Sequence, residues 1–260
     1  MSDEAVGTFW DHLDVLRYSL LRIVAVVAVV ALAAFGLKDE LFGVVLAPCS
    51  SDFVSFRLMG AEPFRLHLMN TGLTEQFLIH VKTSLYAGLL LASPYVLYEL
   101  FRFVQPALYQ NERRYAVRLV GSAYAMFLAG TAVNYFVVFP LTVRFLGTYQ
   151  VSPDVANMLT LQSYIDTLIG MSLVMGVVFE LPVVCWLLGT MGLIDTRLMK
   201  TYRRHAVVAI LVVAAVITPT TDVLTLLVVS LPIWLLYEAS IGIVALARPA
   251  KRVITELKEE

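Results

Sequence analysis

The sequence contains few charged residues and almost no cysteine. Of its 260 residues, 15% are charged, 59% are hydrophobic and two are cysteines, and the mean hydropathy is +0.80. A composition this apolar excludes an ordinary soluble domain. Cys49 and Cys185 fall at different depths of the topology that the apolar runs predict, so we expect no disulfide between them.

The sequence also lacks the short motifs of phosphate binding, acyl hydrolysis and zinc binding. It has no Gly-x-x-x-x-Gly-Lys, no Gly-x-Ser-x-Gly, no His-Glu-x-x-His and no cysteine cluster. We therefore expect no enzyme and no bound cofactor or metal. We also expect no cleavable signal peptide, because residues 1–15 are polar and acidic. Polar residues without metal-ligand spacing are interpreted as interfacial or core groups; they are Glu99, Asp166, Glu238, His12, His67, His80 and His205.

Six long apolar runs alternate with polar segments along the chain. The hydrocarbon core of a bilayer is about 30 Å thick, so one helical span needs about 20 mostly apolar residues. We predict an all-α polytopic membrane protein, a single integral membrane domain over residues 1–260 with an arm at 1–19 and a tail at 248–260. The six predicted transmembrane helices cover residues 20–37, 77–104, 115–139, 165–193, 206–217 and 223–247.

The lysine and arginine residues gather on one side of these spans. Most of the 19 lie in the arm, in the loops after the second and fourth spans, and in the tail. Cytoplasmic loops of membrane proteins carry such an excess of basic residues. The distribution predicts cytoplasmic N and C termini, and the expected lack of a cleavable signal peptide fits an inner-membrane protein. The residues left on the outer side are Lys38, Arg57, Arg65, Lys82 and Arg144.

Prolines and span lengths predict the form of the helices. Pro94, Pro182 and Pro232 each remove a backbone hydrogen bond and bend a helix. We expect bent helices to form a concave wall, and ordinary kinks in a bundle are the alternative. The fifth predicted span covers only about 20 Å. We therefore expect short fifth and sixth spans that stop below the outer surface, or a thinner membrane there.

Two segments on the predicted cytoplasmic side carry motifs. The arm reads Phe-Trp-Asp-His-Leu-Asp-Val-Leu-Arg over residues 9–17, and the loop after the second span reads Pro-Ala-Leu-Tyr-Gln-Asn-Glu-Arg-Arg over residues 106–114. They resemble the TatC family, the multispanning signal-peptide receptor subunit of the twin-arginine protein translocase, whose loop reads Pro-Ala-Leu-Tyr-x-x-Glu-Arg-Arg. Further matches extend the resemblance over nearly the whole chain; they are Ala47, Pro48, Ser93, Pro94, residues 135–141, residues 179–182, Thr218, Pro219 and Asp222.

The arm departs from the family pattern at one position. The family's His-Leu-x-Glu-Leu-Arg has glutamate where this chain has Val15, which follows Asp14. Adjacent positions on a helix point about 100° apart. Asp14 therefore cannot be assumed to take over the role of that carboxylate.

The resemblance implies a site for signal peptides that carry two consecutive arginines. Guanidinium groups pair with carboxylates through two parallel hydrogen bonds, and Glu112 occupies the family's carboxylate position. From the residues alone, Glu112 either binds peptide arginines or pairs with Arg113 or Arg114. Phe103 either forms an apolar platform or anchors its helix, and Arg17 either orients the arm or sets topology. The candidate peptide-binding residues are Glu112, Phe103, Arg17, Asp14 and Arg113.

One carboxylate lies near the middle of a predicted span. Glu180 is flanked by apolar residues, where an ionised carboxylate is costly to bury. It is either neutral and hydrogen-bonded within the bundle, or it draws water into the concave face where substrate and partner helices dock. The candidates for partner docking and structure are Pro48, Pro94, Thr218, Pro219 and Asp222. Capping of a helix N-terminus would by itself account for Asp222.

The resemblance implies the core receptor subunit of the twin-arginine translocation system. Such a subunit binds twin-arginine signal peptides of folded precursor proteins and recruits single-span subunits of the TatA/TatB type. The complex is multimeric, lies in the lipid bilayer, draws on the proton-motive force and involves no nucleic acid. The alternative is a proton-coupled small-solute secondary transporter with Glu180 as proton carrier, but we find no convincing internal repeat. A passive scaffold, the third hypothesis, would make Glu112 and Glu180 dispensable.

Overall fold

The computed structural model describes residues 2–50, 53–58, 68–104, 116–148, 159–218 and 223–246. Two compact units divide the chain. The first comprises the described parts of residues 1–45 and 72–124, and the second those of residues 46–71 and 125–260.

The described residues are mainly helical. A 3₁₀ turn covers Ala47–Cys49 and a π-helical segment covers Asn134–Val138. Two short parallel strands, β1 (Leu68–Met69) and β2 (Leu159–Thr160), place Leu68 opposite Leu159. The α-helices are α1 (Ser2–Gly36), α2 (Lys38–Val45), α3 (Val54–Leu58), α4 (Glu75–Val104), α5 (Ala116–Val133), α6 (Phe139–Thr148), α7 (Leu161–Val178), α8 (Leu181–Thr190), α9 (Thr196–Thr201), α10 (Arg203–Ile217) and α11 (Val223–Leu246).

Five helical segments in the described ranges are long and apolar enough to cross a membrane. They are Leu13–Gly36, Glu75–Phe103, Leu119–Gly147, Leu161–Thr190 and Thr225–Leu246. The predicted class, an all-α polytopic membrane protein, is confirmed, whereas the count of six spans is not reached. Helix α10 has 15 residues, which extend only about 22 Å. The sixth predicted span is not short, because α11 has 24 residues. The concave wall stays a prediction.

The arm and the first span form one helix. Helix α1 runs for 35 residues from Ser2, because the sequence contains neither glycine nor proline between Gly7 and Gly36. Those two residue types are the ones that most disfavour a helix interior. The side chains at positions 14 and 17 are therefore held on the same rigid element as the span.

Helices α1 and α4 of the first unit pack closely because small residues face each other. Val27, Ala31 and Ala34 are buried on one face of α1. A Cβ atom added at Gly88 of α4 would lie 2.7 Å from the Cβ and 2.8 Å from the Cα of Ala31. The imidazole of His80 stacks on the ring of Phe35 with centroids 3.9 Å apart. Contact at backbone level between small residues is a common way of associating helices in membranes.

Hydroxyl groups replace the hydrogen bonds that two prolines remove. Pro94 lies inside α4 and cannot donate to the carbonyl of Leu90, four residues earlier. The hydroxyl of Ser93 donates to that carbonyl at 2.6 Å. Pro140 likewise cannot donate to the carbonyl of Phe136, which accepts a hydrogen bond from Ser55 of α3.

Glycines allow close contact between α5 and α7 in the second unit. A Cβ at Gly130 would lie 2.6 Å from the carbonyl oxygen of Met175, and one at Gly176 would lie 2.6 Å from the ring of Phe127. The ring of Phe53 packs edge-on against Tyr135 and parallel to Phe136, with centroids 5.4 Å and 5.8 Å away. These contacts hold α3 against the π-helical segment.

Both cysteines belong to the second unit and both are free, as predicted. Burial raises the pKa of the Cys49 thiol, and a hydrogen bond with Tyr164 opposes that rise. Cys49 therefore stays a neutral thiol at physiological pH, as a structural cysteine should.

Substitution of Gly88 by alanine should destabilise the pair of helices α1 and α4. The new methyl group would overlap the backbone of Ala31, and overpacking of this kind typically costs about 1 to 3 kcal/mol. The matched control is Gly121→Ala in α5, where an added Cβ meets no atom within 4 Å. We expect a lower thermal midpoint in detergent for Gly88→Ala and an unchanged or higher one for the control. Equal midpoints would contradict the close packing.

Candidate functional site

The predicted peptide-binding residues fall partly inside the described chain. Asp14 and Arg17 are exposed on α1, and Phe103 is half-buried in the last turn of α4. These three belong to the first unit. Glu112 and Arg113 lie outside the described residues. The described part of the site is therefore limited to the surface of α1 around Asp14 and Arg17 and to the last turn of α4.

A buried carboxylate joins these two helices. Glu99 of α4 is 2% exposed and accepts hydrogen bonds from the hydroxyl of Ser19 on α1 at 3.0 Å and from the hydroxyl of Tyr95 at 3.1 Å. Its Oε1 also lies 3.6 Å from Nη1 of Arg22 and 3.9 Å from Nη1 of Arg102. Both guanidinium groups are more than half exposed. One buried anion thus has two hydroxyl donors and two cations around it.

Helical spacing assembles this cluster. Tyr95 precedes Glu99 by four residues and Arg102 follows it by three, so all three lie on one face of α4. Ser19 and Arg22 are three residues apart on α1 and reach the same carboxylate. A buried ionised group is tolerated when it is paired and hydrogen-bonded, and removal of a single partner would leave it uncompensated. Glu99 therefore fixes α1 to the end of α4 at one register.

The sequence alone indicates only an interfacial or core polar group at Glu99. The partners on α1 lie about 80 positions away in sequence, and helical periodicity gives no information about them. The available signal was local: Glu99 is a carboxylate inside an apolar run with an arginine three residues later. That pattern occurs on many solvated helix ends and does not predict burial.

Glu180 lies at the break between α7 and α8. Phe179 and Glu180 form a turn, and Pro182 lies in the first turn of α8, where a missing N–H group is tolerated. Oε1 of Glu180 is buried and has no hydrogen-bond partner among the described residues. The predicted intramembrane carboxylate is thus half-buried at a helix interruption in the second unit.

A second polar contact lies deep in the same unit. Asn134, at the start of the π-helical segment, is fully buried and donates from Nδ2 to the hydroxyl of Ser172 on α7 at 2.8 Å. Its Oδ1 has no partner among the residues that the structure describes. The contact links the π-helical segment to α7 across an otherwise apolar core.

The structural candidates occupy bends and helix ends. Pro48 is buried in the 3₁₀ turn and Pro94 is inside α4. Thr218 ends α10, with its N–H and its hydroxyl both 3.0 Å from the carbonyl oxygen of Ala214. Pro219 and Asp222 lie outside the described residues. In the described ranges, no group of three or more His, Cys, Asp or Glu side chains could hold a metal ion.

Known proteins resemble this chain over most of its length. A family model described as "Sec-independent protein translocase protein (TatC)" matches residues 11–232. The TatC protein of Koribacter versatilis is 32% identical over 258 residues, covering 97% of this chain and 91% of the relative. That of Azotobacter chroococcum is 35% identical over 231 residues, covering 88% and 86%. A crystal structure of the twin arginine translocase receptor TatC superimposes with a TM-score of 0.74 at 31% identity, covering 91% of this chain and 99% of that chain.

Substitution of Ser172 by alanine should destabilise the second unit. The buried Nδ2 of Asn134 would lose its acceptor, and an unsatisfied buried donor typically costs about 1 to 3 kcal/mol. The double variant Asn134→Leu, Ser172→Ala should recover much of that loss, because replacing both partners by apolar groups is nearly neutral. The control is Ser122→Ala, whose hydroxyl donates within its own helix to Leu119. Thermal unfolding in detergent measures all three, and a wild-type midpoint for Ser172→Ala would refute the role of this contact.

Proposed function

Because this chain belongs to the TatC family of Sec-independent protein translocase proteins, we propose that it is the core receptor subunit of a twin-arginine translocation system. It binds twin-arginine signal peptides at its cytoplasmic face and takes part in the export of folded precursor proteins. The single observation that carries this proposal is the family match along residues 11–232. The motif at residues 106–114, which resembles the family's loop, supports it independently of composition.

The chemistry of the loop supports recognition of arginine. Glu112 supplies a carboxylate that can accept two parallel hydrogen bonds from one guanidinium group, which a lysine ammonium cannot reproduce. Asp14 and Arg17 on α1 and Phe103 on α4 belong to the first unit, and we propose that they contribute to the same site as Glu112. A site built on helices holds its contacts more rigidly than one on loops alone.

The topology and the partners form the second half of the proposal. Arginine and lysine are in excess in the arm, in the loops after the second and fourth predicted spans, and in the tail. This excess supports cytoplasmic termini in a bacterial inner membrane. Single-span subunits of the TatA/TatB type would join the chain in a multimeric complex. The absence of nucleotide-binding and hydrolytic motifs from the sequence supports a receptor without enzymatic activity, whose export step draws on the proton-motive force.

Substitution of Glu112 by glutamine should weaken the binding of a twin-arginine signal peptide to the purified protein. Hydrogen bonds to charged groups contribute about 1.5 to 3 kcal/mol, so we expect roughly tenfold to 150-fold weaker binding. A peptide with both arginines changed to lysine should bind the wild-type protein just as weakly. Glu40→Gln, an exposed carboxylate of α2, is the matched control.

Equilibrium binding in detergent distinguishes the outcomes. If binding is lost both with the lysine peptide and with Glu112→Gln, the receptor function and the loop carboxylate are supported together. If neither the lysine peptide nor Glu112→Gln weakens binding, only the predicted membrane topology remains supported. That result would favour the secondary transporter.

Substitution of Glu180 by alanine should lower export while peptide binding persists. The half-buried carboxylate lies at a helix break in the second unit, and we expect it to attract water or a partner's polar group within the membrane. Export is measured as the transfer of a folded twin-arginine reporter into the periplasm, and peptide binding is measured as the affinity for a twin-arginine signal peptide. Val177→Ala, an exposed apolar neighbour, should leave both unchanged. Normal export by Glu180→Ala would count decisively against this role.

A further inference from the structure

The charged side chains described on residues 13–22 of α1 and 95–104 of α4 include more cations than carboxylates. The charged side chains described there are Asp14, Arg17, Arg22, Glu99 and Arg102, three cations and two carboxylates. Arg113, Arg114 and Arg118 follow in the sequence around Glu112. A ligand that brings two further arginines to this surface would be repelled unless some of the cations were neutralised.

The carboxylate of Glu99 lies beneath two of these cations. It is buried, whereas the side chains of Arg22 and Arg102 are 53% and 56% exposed. Charges that are buried are screened by salt much less than charges in water. The negative charge of Glu99 therefore acts on both guanidinium groups with little screening by salt. It lowers the positive electrostatic potential at the surface above them.

The hydrogen bonds around Glu99 are distinct from its charge. Ser19 and Tyr95 donate at 3.0 Å and 3.1 Å, distances typical of hydrogen bonds, and a glutamine oxygen could accept both. The arginine nitrogens lie farther away, at 3.6 Å and 3.9 Å, and interact mainly through charge. Glutamine at this position would keep the anchoring of α1 and lose the neutralisation of the two cations.

We propose that Glu99 is a positioning residue for twin-arginine binding, which holds α1 against α4 and neutralises Arg22 and Arg102 so that a doubly cationic peptide can approach. This inference rests on the proposed function. Phe103 follows Glu99 by four residues and lies on the same face of α4, one turn closer to the C-terminal end of the helix.

The test measures binding of a twin-arginine signal peptide to Glu99→Gln and wild-type protein at low and high salt. At about 0.05 M salt we expect roughly three- to tenfold weaker binding to Glu99→Gln, because two cations lose their counter-charge. At about 1 M salt, where the Debye length is about 3 Å, the two affinities should agree within about twofold. The control is Glu238→Gln, a carboxylate 2.6 Å from Arg203 in the second unit, which should bind as wild type at both salt concentrations.

A double variant separates the charge of Glu99 from its packing. Glu99→Gln with Arg22→Gln has the same net charge as the wild-type cluster, so its affinity at low salt should return to within about twofold of wild type. A loss that is independent of salt and persists in the double variant would show a purely structural role. It would overturn the inference, as would wild-type binding by Glu99→Gln at low salt.

Two further measurements keep the test decisive. If Glu99→Gln does not fold, Arg22→Gln and Arg102→Gln should each bind the peptide severalfold more tightly at low salt, and unchanged affinities would overturn the inference. The lysine peptide on wild-type protein tests the proposed function separately. If the wild-type protein binds the lysine peptide as tightly as the twin-arginine peptide, the receptor function fails and this inference fails with it. If the wild-type protein binds the twin-arginine peptide more tightly but the variants bind it with the same affinity as wild type, this inference alone fails.

Discussion

Backbone groups within a bilayer must find hydrogen-bond partners inside the protein, because the surrounding hydrocarbon offers none. This constraint makes the described chain helical and determines what happens where a helix is disturbed. The carbonyl of Leu90, to which Pro94 cannot donate, accepts a hydrogen bond from the hydroxyl of Ser93. The carbonyl of Phe136, to which Pro140 cannot donate, accepts one from the hydroxyl of Ser55. A hydroxyl group near each of these two prolines thus donates the hydrogen bond that the proline nitrogen cannot. Helix α10 ends in the same way, since Thr218 donates twice to the carbonyl of Ala214.

Hydropathy predicted the fold class because a helix that crosses the whole hydrocarbon core needs about 20 mostly apolar residues. It could not predict where a helix continues or breaks. The arm merges with the first span in α1 because nothing in residues 8–35 ends a helix. The fourth predicted span divides at Phe179 and Glu180, two residues before the proline that was expected to bend it. The sixth span was expected to be short, and α11 is not.

The candidate site was predictable only where the residues are contiguous. The motif at residues 106–114 and the arm are local patterns, and the sequence displays them directly. Glu99 was missed because its burial depends on Ser19 and Arg22 of another helix. Glu180 was recognised because an acid among apolar residues is conspicuous. The two carboxylates differ in their surroundings: Glu99 has two hydroxyl donors and two cations, whereas Oε1 of Glu180 has no hydrogen-bond partner among the described residues.

This difference bears on what each carboxylate can do. A buried anion with all its partners in place is costly to disturb, so Glu99 suits a fixed element that sets geometry and charge. An acid with an open oxygen at a helix break still has hydrogen-bonding capacity, and a second molecule or water can meet it. Recognition of an arginine pair needs a rigid, correctly charged surface before the peptide arrives, because ordering that surface during binding would weaken affinity. The pair of helices α1 and α4, packed at Gly88 and joined at Glu99, supplies rigidity up to the end of α4, immediately before the part of the sequence that carries Glu112.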